Sequence, residues 1–237
     1  MDGRATGGDA GGMTTQDLAG VFAAVARRLE PEPDLDRTVS RLVEAAIATV
    51  PGAEDAGVSL LERDKVRSIG PTSERVAKLD QVQHELCQGP CTDAAFEGDL
   101  YRSGDLKRDD RWPAFTVAAT ELGVVSMLAV RLYTERTVLG ALNMYSGQPE
   151  AFDAASETVA EVFAAHAAVA LSGARKQAQL VTALDTRDTI GMAKGILIER
   201  HHVDGERAFG MLVEASQHAN VKLRDVAAWL IQEASGA

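Results

Sequence analysis

The chain has 237 residues, 46% of them hydrophobic and 25% charged, which fits two small globular domains or one large one and excludes a disordered chain, a collagen-like fibre and a disulfide-built miniprotein. Its 24 Lys and Arg against 35 Asp and Glu give a net charge of -11, a balance that disfavours non-specific nucleic-acid binding, because attraction to phosphate supplies most of that affinity. The acidity is uneven: from Lys176 onward seven basic residues stand against eight acidic ones, so a nearly neutral C-terminal quarter follows an acidic body.

The opening MDGRATGGDAGG is Gly-rich, short of hydrophobes and without the basic-then-apolar order of a secretory signal, so residues 1–13 read as a disordered tail. No uninterrupted run of about 18 apolar residues occurs, and no membrane partner is expected. Leu18, Val21, Phe22 and Val25 recur at helical spacing, as do Val39, Leu42, Val43, Ala46 and Ile47, which predicts two amphipathic helices around the Pro-broken turn EPEPD. Strands are expected over Ala56–Leu61 and Lys65–Ile69, and a helix over Ser73–Glu85 with Val76, Leu79 and Val82 on one face. Val124–Tyr133 and Val138–Tyr145 predict a hairpin around TERT, and the Ala-rich, Pro-free segment from Ala154 to about Ala174 predicts a helix. Strands grouped in hairpins with helices on them make an α+β domain with an antiparallel sheet, assigned to residues 14–173.

Past the polar stretch SGARKQAQ no strand pattern follows, and residues 174–184 read as a helical linker. Helices are expected from Leu180 to about His201, from Asp204 to about His218 and from Val221 to about Gln232, making residues 185–237 an all-α domain. Asp204 is placed as an N-cap, with Ala208, Leu212 and Ala215 behind it on one face.

The string from Arg187 to Leu230, with IGMAKGIL, then AF followed by LVEAS, then KLRDVA, closely resembles the ANTAR domain, an RNA-binding transcription-antitermination module. Upstream, LDQVQHELCQGPCTDA, RWPAF, LGVVSMLAVRL and VLGALNMYS, followed by AF and AAHAAVAL, resemble the GAF sensory domain found fused to ANTAR in actinobacterial proteins. The resemblance implies a central antiparallel sheet with flanking helices for the first part and a three-helix module for the second. It also implies that ANTAR dimers bind paired RNA hairpins in leader transcripts and stop a terminator from forming, under control of a signal sensed by the attached domain.

On the first helix of the last domain, Ile190, Ala193 and Leu197 form a core stripe, while Arg187, Gly191, Lys194 and Ile198 line the adjacent face at ~100° per residue. Gly191 and Gly195 cost ~1 kcal/mol each in a helix relative to Ala, which close helix packing or backbone access for RNA beside Lys194 would explain. Lys222 and Arg224 are expected in the first turn of the third helix, directly after Asn220 as N-cap; cations there oppose the helix dipole, and exposed amides suit phosphate. The plain alternative is a solvated face. Phe209 and Trp229 read as core. The RNA-binding set is therefore Arg187, Lys194, Gly195, Ser216, Asn220, Lys222 and Arg224, with Ser216, Asn220 and Arg224 placed to contact bases and Arg207 adding a phosphate contact.

Cys87 and Cys91 flank Gly89-Pro90, which breaks a helix between them; they read as buried thiols in a reducing cytoplasm, with redox sensing as the alternative. No Cys or His accompanies them at zinc-ligand spacing, and His84 reads as structural, with haem or metal ligation left open. Trp112-Pro113 reads as packing over the sheet, and His201 and His202 as a helix end. No metal site, catalytic residue, phosphate loop or Ser-His-Asp arrangement is identified, and the cofactor stays unknown.

The leading reading is a cytoplasmic, non-enzymatic regulator whose GAF domain senses an unknown small-molecule ligand or redox signal and whose ANTAR domain binds RNA hairpins. A homodimer is expected through the last GAF helix, where Val159, Val162, Phe163, His166, Ala167, Val169 and Ala170 exceed what one sheet contact needs. The rivals are a GAF thiol redox enzyme and a dimeric interaction scaffold that binds no RNA.

Overall fold

The computed structural model describes residues 20, 23, 34–62, 65–135 and 137–235; the expected tail and most of the expected helix around Leu18–Val25 lie outside them. Two compact units divide between Arg175 and Lys176.

In the first unit α1 (Leu35–Thr49) starts at Asp34, whose carboxylate accepts from the backbone N–H groups of Asp36 and Arg37. Then follow β1 (Asp55–Glu62), β2 (Lys65–Ile69), α2 (Glu74–Leu86), α3 (Pro90–Phe96), β3 (Leu100–Ser103), α4 (Pro113–Glu121), β4 (Ser126–Thr134) and β5 (Thr137–Ser146). One antiparallel sheet results, in the order β2-β1-β5-β4-β3. The four expected strands form, whereas α3, β3 and α4 are too short for periodicity to declare. Two of these short helices carry proline at their start, Pro90 and Pro113, where a missing N–H costs nothing.

The sheet is buried on both faces, and its period-2 alternation sorts the side chains. Val58, Leu60, Leu128, Val130, Leu142 and Met144 meet α1 and the helix α5 (Ala154–His201), which contributes Val159, Phe163, Ala167 and Leu171. On the opposite face Met127, Ala129, Ala141 and Tyr145 meet Val76 and Leu79 of α2, Cys91 and Ala94 of α3, and Phe115 and Ala119 of α4. At Gly140 (φ 149) a Cβ would collide with the Ser59 carbonyl of the neighbouring strand, so glycine is what lets β5 close on β1.

The helix α5 is one element of 48 residues and runs through SGARKQAQ without a break. Composition there changes what the helix faces; Ala, Arg, Lys and Gln remain strong helix formers. One stretch of α5 is long and apolar enough to cross a membrane, but 44% of it is buried inside the protein, as befits a core helix.

The second unit continues α5 with α6 (Gly205–Ala219) and α7 (Leu223–Ser235). Asp204 caps α6, accepting from the Arg207 N–H at 2.8 Å. Ala193 and Leu197 of α5, Ala208 and Leu212 of α6 and Ala227 of α7 form the core, with Ile190, Met211, Val226 and Leu230 packed against it. Ala215, expected on the buried face, is exposed instead.

The helix α7 starts later than expected, at Leu223, and this reassigns Asn220. Rather than an N-cap, Asn220 is the left-handed C-cap of α6 (φ 52), its N–H reaching the carbonyls of Ser216 and Gln217. Asparagine tolerates that conformation, which is why it ends a helix here. Lys222 consequently precedes α7, its carbonyl accepting from Asp225 and Val226, while Arg224 stays in the first turn.

Candidate functional site

The core stripe of α5 in the second unit leaves Arg187, Gly191 and Lys194 on the adjacent flank, where they line a groove of about 820 Å³ with Asp188, Met192 and Phe209. Lys194 Nζ lies over the Phe209 ring, 6.0 Å from its centroid, at the outer limit of a cation–π contact. Among the described residues, Arg187, Lys194, Lys222 and Arg224 form no salt bridge, whereas Arg207 is engaged with Glu214 at 2.9 Å. Ser216 and Asn220 are not in the groove. The Ser216 hydroxyl donates to the Val221 carbonyl at 2.5 Å, so both residues serve the turn between α6 and α7.

Two expectations are corrected here. Phe209 and Trp229 are not core: they are 42% and 60% exposed. Each helix buries one narrow stripe, Ala208 and Leu212 on α6 and Ala227 on α7. Phe209 lies ~100° round from Ala208, and Trp229 lies ~200° round from Ala227. Packing among the described residues does not explain Gly191 and Gly195 either, since a Cβ at either would meet none of them within 4 Å. Residue type alone gave no sign of the exposed Phe209; its position one step past a core alanine was the available signal.

The first unit holds a second unusual cluster, buried except at Ser68, which is half-buried. Asp80 of α2 accepts from Tyr145 Oη at 2.6 Å and from the Ser68 hydroxyl. Gln83 Nε2 donates to the same Tyr145 oxygen at 3.4 Å, and Gln83 Oε1 accepts from the Cys91 backbone N–H at 3.0 Å. The Cys91 thiol donates to Ser59 Oγ at 2.9 Å, which also accepts from Asn143 Nδ2 at 3.0 Å. Burial pushes the Asp80 carboxyl up to about 6, against the pull of its two hydroxyl partners. Burial, helped by the nearby Asp80 carboxylate, pushes the Cys91 thiol up to about 12, and Tyr145 is raised for the same two reasons. Among the described residues, Asn143 Oδ1 and His84 Nε2 are buried without a partner, and burial lowers the His84 pKa, favouring the neutral ring.

The cysteines part company. Cys91 is buried, as expected, but Cys87 is exposed, because it is the left-handed C-cap of α2 (φ 48) at the start of the Gly89-Pro90 break. Trp112 is buried as expected, its Nε1 donating to Asp93 at 2.7 Å with the Arg111 guanidinium 4.2 Å over its ring. His201 ends α5 and His202 follows it in a left-handed turn (φ 52). Among the described residues no group of three or more His, Cys, Asp or Glu is arranged to hold a metal ion.

Comparison with known proteins places these units. A GAF domain family model matches residues 32–172, and an ANTAR domain model matches residues 178–231. No curated protein matches the chain. Among solved structures, the GAF domain of an Acinetobacter phosphoenolpyruvate-protein phosphotransferase is 16% identical with a TM-score of 0.51, over 69% of this chain and 97% of that one. The corresponding GAF domain from Coxiella burnetii is 13% identical with a TM-score of 0.54, over 68% and 96%. A free methionine-R-sulfoxide reductase from Neisseria meningitidis, solved with its substrate, is 14% identical with a TM-score of 0.51, over 68% and 92%. At these identities the likeness is one of fold.

Proposed function

The chain belongs to the GAF domain family and carries an ANTAR domain behind its GAF domain; on that premise we propose that it is a cytoplasmic, homodimeric regulator that binds RNA hairpins in leader transcripts and acts by antitermination under control of its GAF domain. The observation that carries the reading is the set of unpaired cations on the second unit of an otherwise acidic chain: Arg187 and Lys194 share one groove, and Lys222 and Arg224 stand at the start of α7. Phosphate contact falls to these four side chains. Ser216 and Asn220 act indirectly, by shaping the turn that presents Lys222 and Arg224.

Signal input is assigned to the chain that runs from half-buried Ser68 through buried Asp80, Tyr145 and Gln83, and to its neighbour Asn143, whose Oδ1 has no partner among the described residues and leaves hydrogen-bonding capacity for a small polar molecule. A thiol-redox reading is supported less well, since a buried thiol pushed up to about 12 supplies almost no thiolate at neutral pH. Dimerisation follows α5, where Val169, Leu180 and Leu184 are exposed, while Val159, Phe163 and Ala167 of the expected dimer face are taken up by the sheet core. The α5 helix is also the route from sensor to output.

A transcription reaction on a leader template with a terminator, run with the purified chain, tests the reading. Wild type raises the yield of full-length transcript, and a Lys194→Ala/Arg224→Ala double variant of equal helicity does not. Equal read-through by both proteins contradicts it, as does no effect of wild type on any leader template carrying paired hairpins.

A further inference from the structure

The geometry points to Phe209 as a stacking platform for one unpaired RNA loop base, held between the phosphate contacts of Lys194 and Arg187; this rests on the RNA-binding reading and names the part of the RNA that the groove takes. An aromatic side chain is left 42% exposed on the first turns of α6, outside a core built from alanine and aliphatic side chains. Its ring forms part of the groove wall, and the groove's other features suit a nucleotide better than a peptide. Arg187 and Lys194 outnumber Asp188 there, so an apolar peptide side chain entering the groove would strip water from two cations without supplying an anion. A nucleotide brings its own phosphates. Its base covers the ring, and the phosphates on either side meet the two cations.

The glycine at 191 fits the same occupant. It lines the groove, and among the described residues nothing comes within 4 Å of the space its missing side chain leaves open. A flat base entering beside Phe209 can therefore approach the α5 backbone closely. The Lys194 ammonium, 6.0 Å from the ring centroid, already shows that a cation and the ring face share one space. Because every base has a π-face, stacking here sets affinity for an extruded base more than its identity.

The test uses the full chain and a hairpin RNA enriched from a random-loop pool by binding to wild type. Phe209→Leu keeps apolar bulk and removes the ring face; Phe209→Tyr keeps the face. The Leu variant is expected to bind about 10-fold more weakly and the Tyr variant like wild type. Loop positions are then made abasic one at a time. At one position the abasic RNA should lose a similar factor against wild type and lose nothing further against Phe209→Leu, while the salt slope stays unchanged. Wild-type affinity in Phe209→Leu overturns the inference but leaves the RNA reading standing, and so does a loss in that variant that is independent of every loop base. If wild type enriches no RNA, the RNA reading itself fails and the inference falls with it.

Discussion

The first unit encloses Asp80, Tyr145, Gln83, Cys91 and Asn143 between a sheet and three helices, whereas the second leaves Arg187, Lys194, Phe209 and Trp229 at its surface over a core of Ala193, Leu197, Ala208, Leu212 and Ala227. The difference follows from size and from what each unit does. A sheet covered on both faces has room for polar groups in its interior, where an altered hydrogen bond changes packing directly. A short helical module has no such interior, so its distinctive chemistry lies outside, where a large charged partner can reach it.

The two units should differ most when their cores are truncated. Leu212→Ala should cost about 2–5 kcal/mol and so remove most of the second unit's stability, while Leu128→Ala costs a similar amount from a far larger core. Calorimetry should show the first variant losing the transition of the helical module while the sheet domain's transition keeps its temperature. A single transition shifted equally by both variants would mean that the units unfold as one.

The next effect concerns Asp80. Its folded pKa, about 6, is above the unfolded value near 3.8, so the stability it contributes is complete below about pH 4 and is lost as pH rises through about 6. That difference amounts to about 3 kcal/mol. Asp80→Asn keeps the shape without the charge, so urea midpoints for wild type and variant should diverge between pH 4 and pH 7 in favour of the variant. Parallel curves would place the carboxyl in a better-solvated state than its burial implies.

Gly191→Ala sharpens the contrast from the other side. It should raise helix stability by about 0.5–1 kcal/mol, because nothing opposes the added methyl, while weakening RNA binding by narrowing the groove. Opposite signs in thermal denaturation and hairpin titration are the expected outcome; an unchanged hairpin affinity would remove Gly191 from the interface. The smallest perturbation is chemical: in the folded chain a thiol reagent should modify Cys87 readily and Cys91 only on unfolding.

Much of the fold was legible from periodicity. The hairpin around TERT, the face of Val76 and Leu79 and the Asp204 cap are all strong local signals, and each is present. What escaped has physical causes. The elements between Pro90 and Glu121 span at most about two and a half helical turns, or a few residues of strand, too short for a pattern to repeat clearly. Asn220 fits a helix start as well as a helix end, because asparagine serves both, and only the left-handed φ separates the two roles. Of the site, the flank of Arg187 and Lys194 could be drawn from a helical wheel. The same wheel puts Phe209 about 100° from Ala208, but hydrophobicity argues for the core, and only the narrowness of the buried stripe decides for the wheel. The chain joining Ser68, Asp80, Tyr145 and Gln83 links β2, α2 and β5, and no local pattern reveals it.

The most direct test is hairpin binding measured across a salt series for the full-length wild type, Lys194→Ala and Arg224→Ala, each checked for helicity. RNA binding through the exposed cations of the second unit requires affinity to fall steeply with salt for wild type. Each variant should lower the slope of log affinity against log salt by about 1 and weaken binding to all hairpins nearly equally. Wild-type slope and affinity in both folded variants would contradict that placement of the RNA surface.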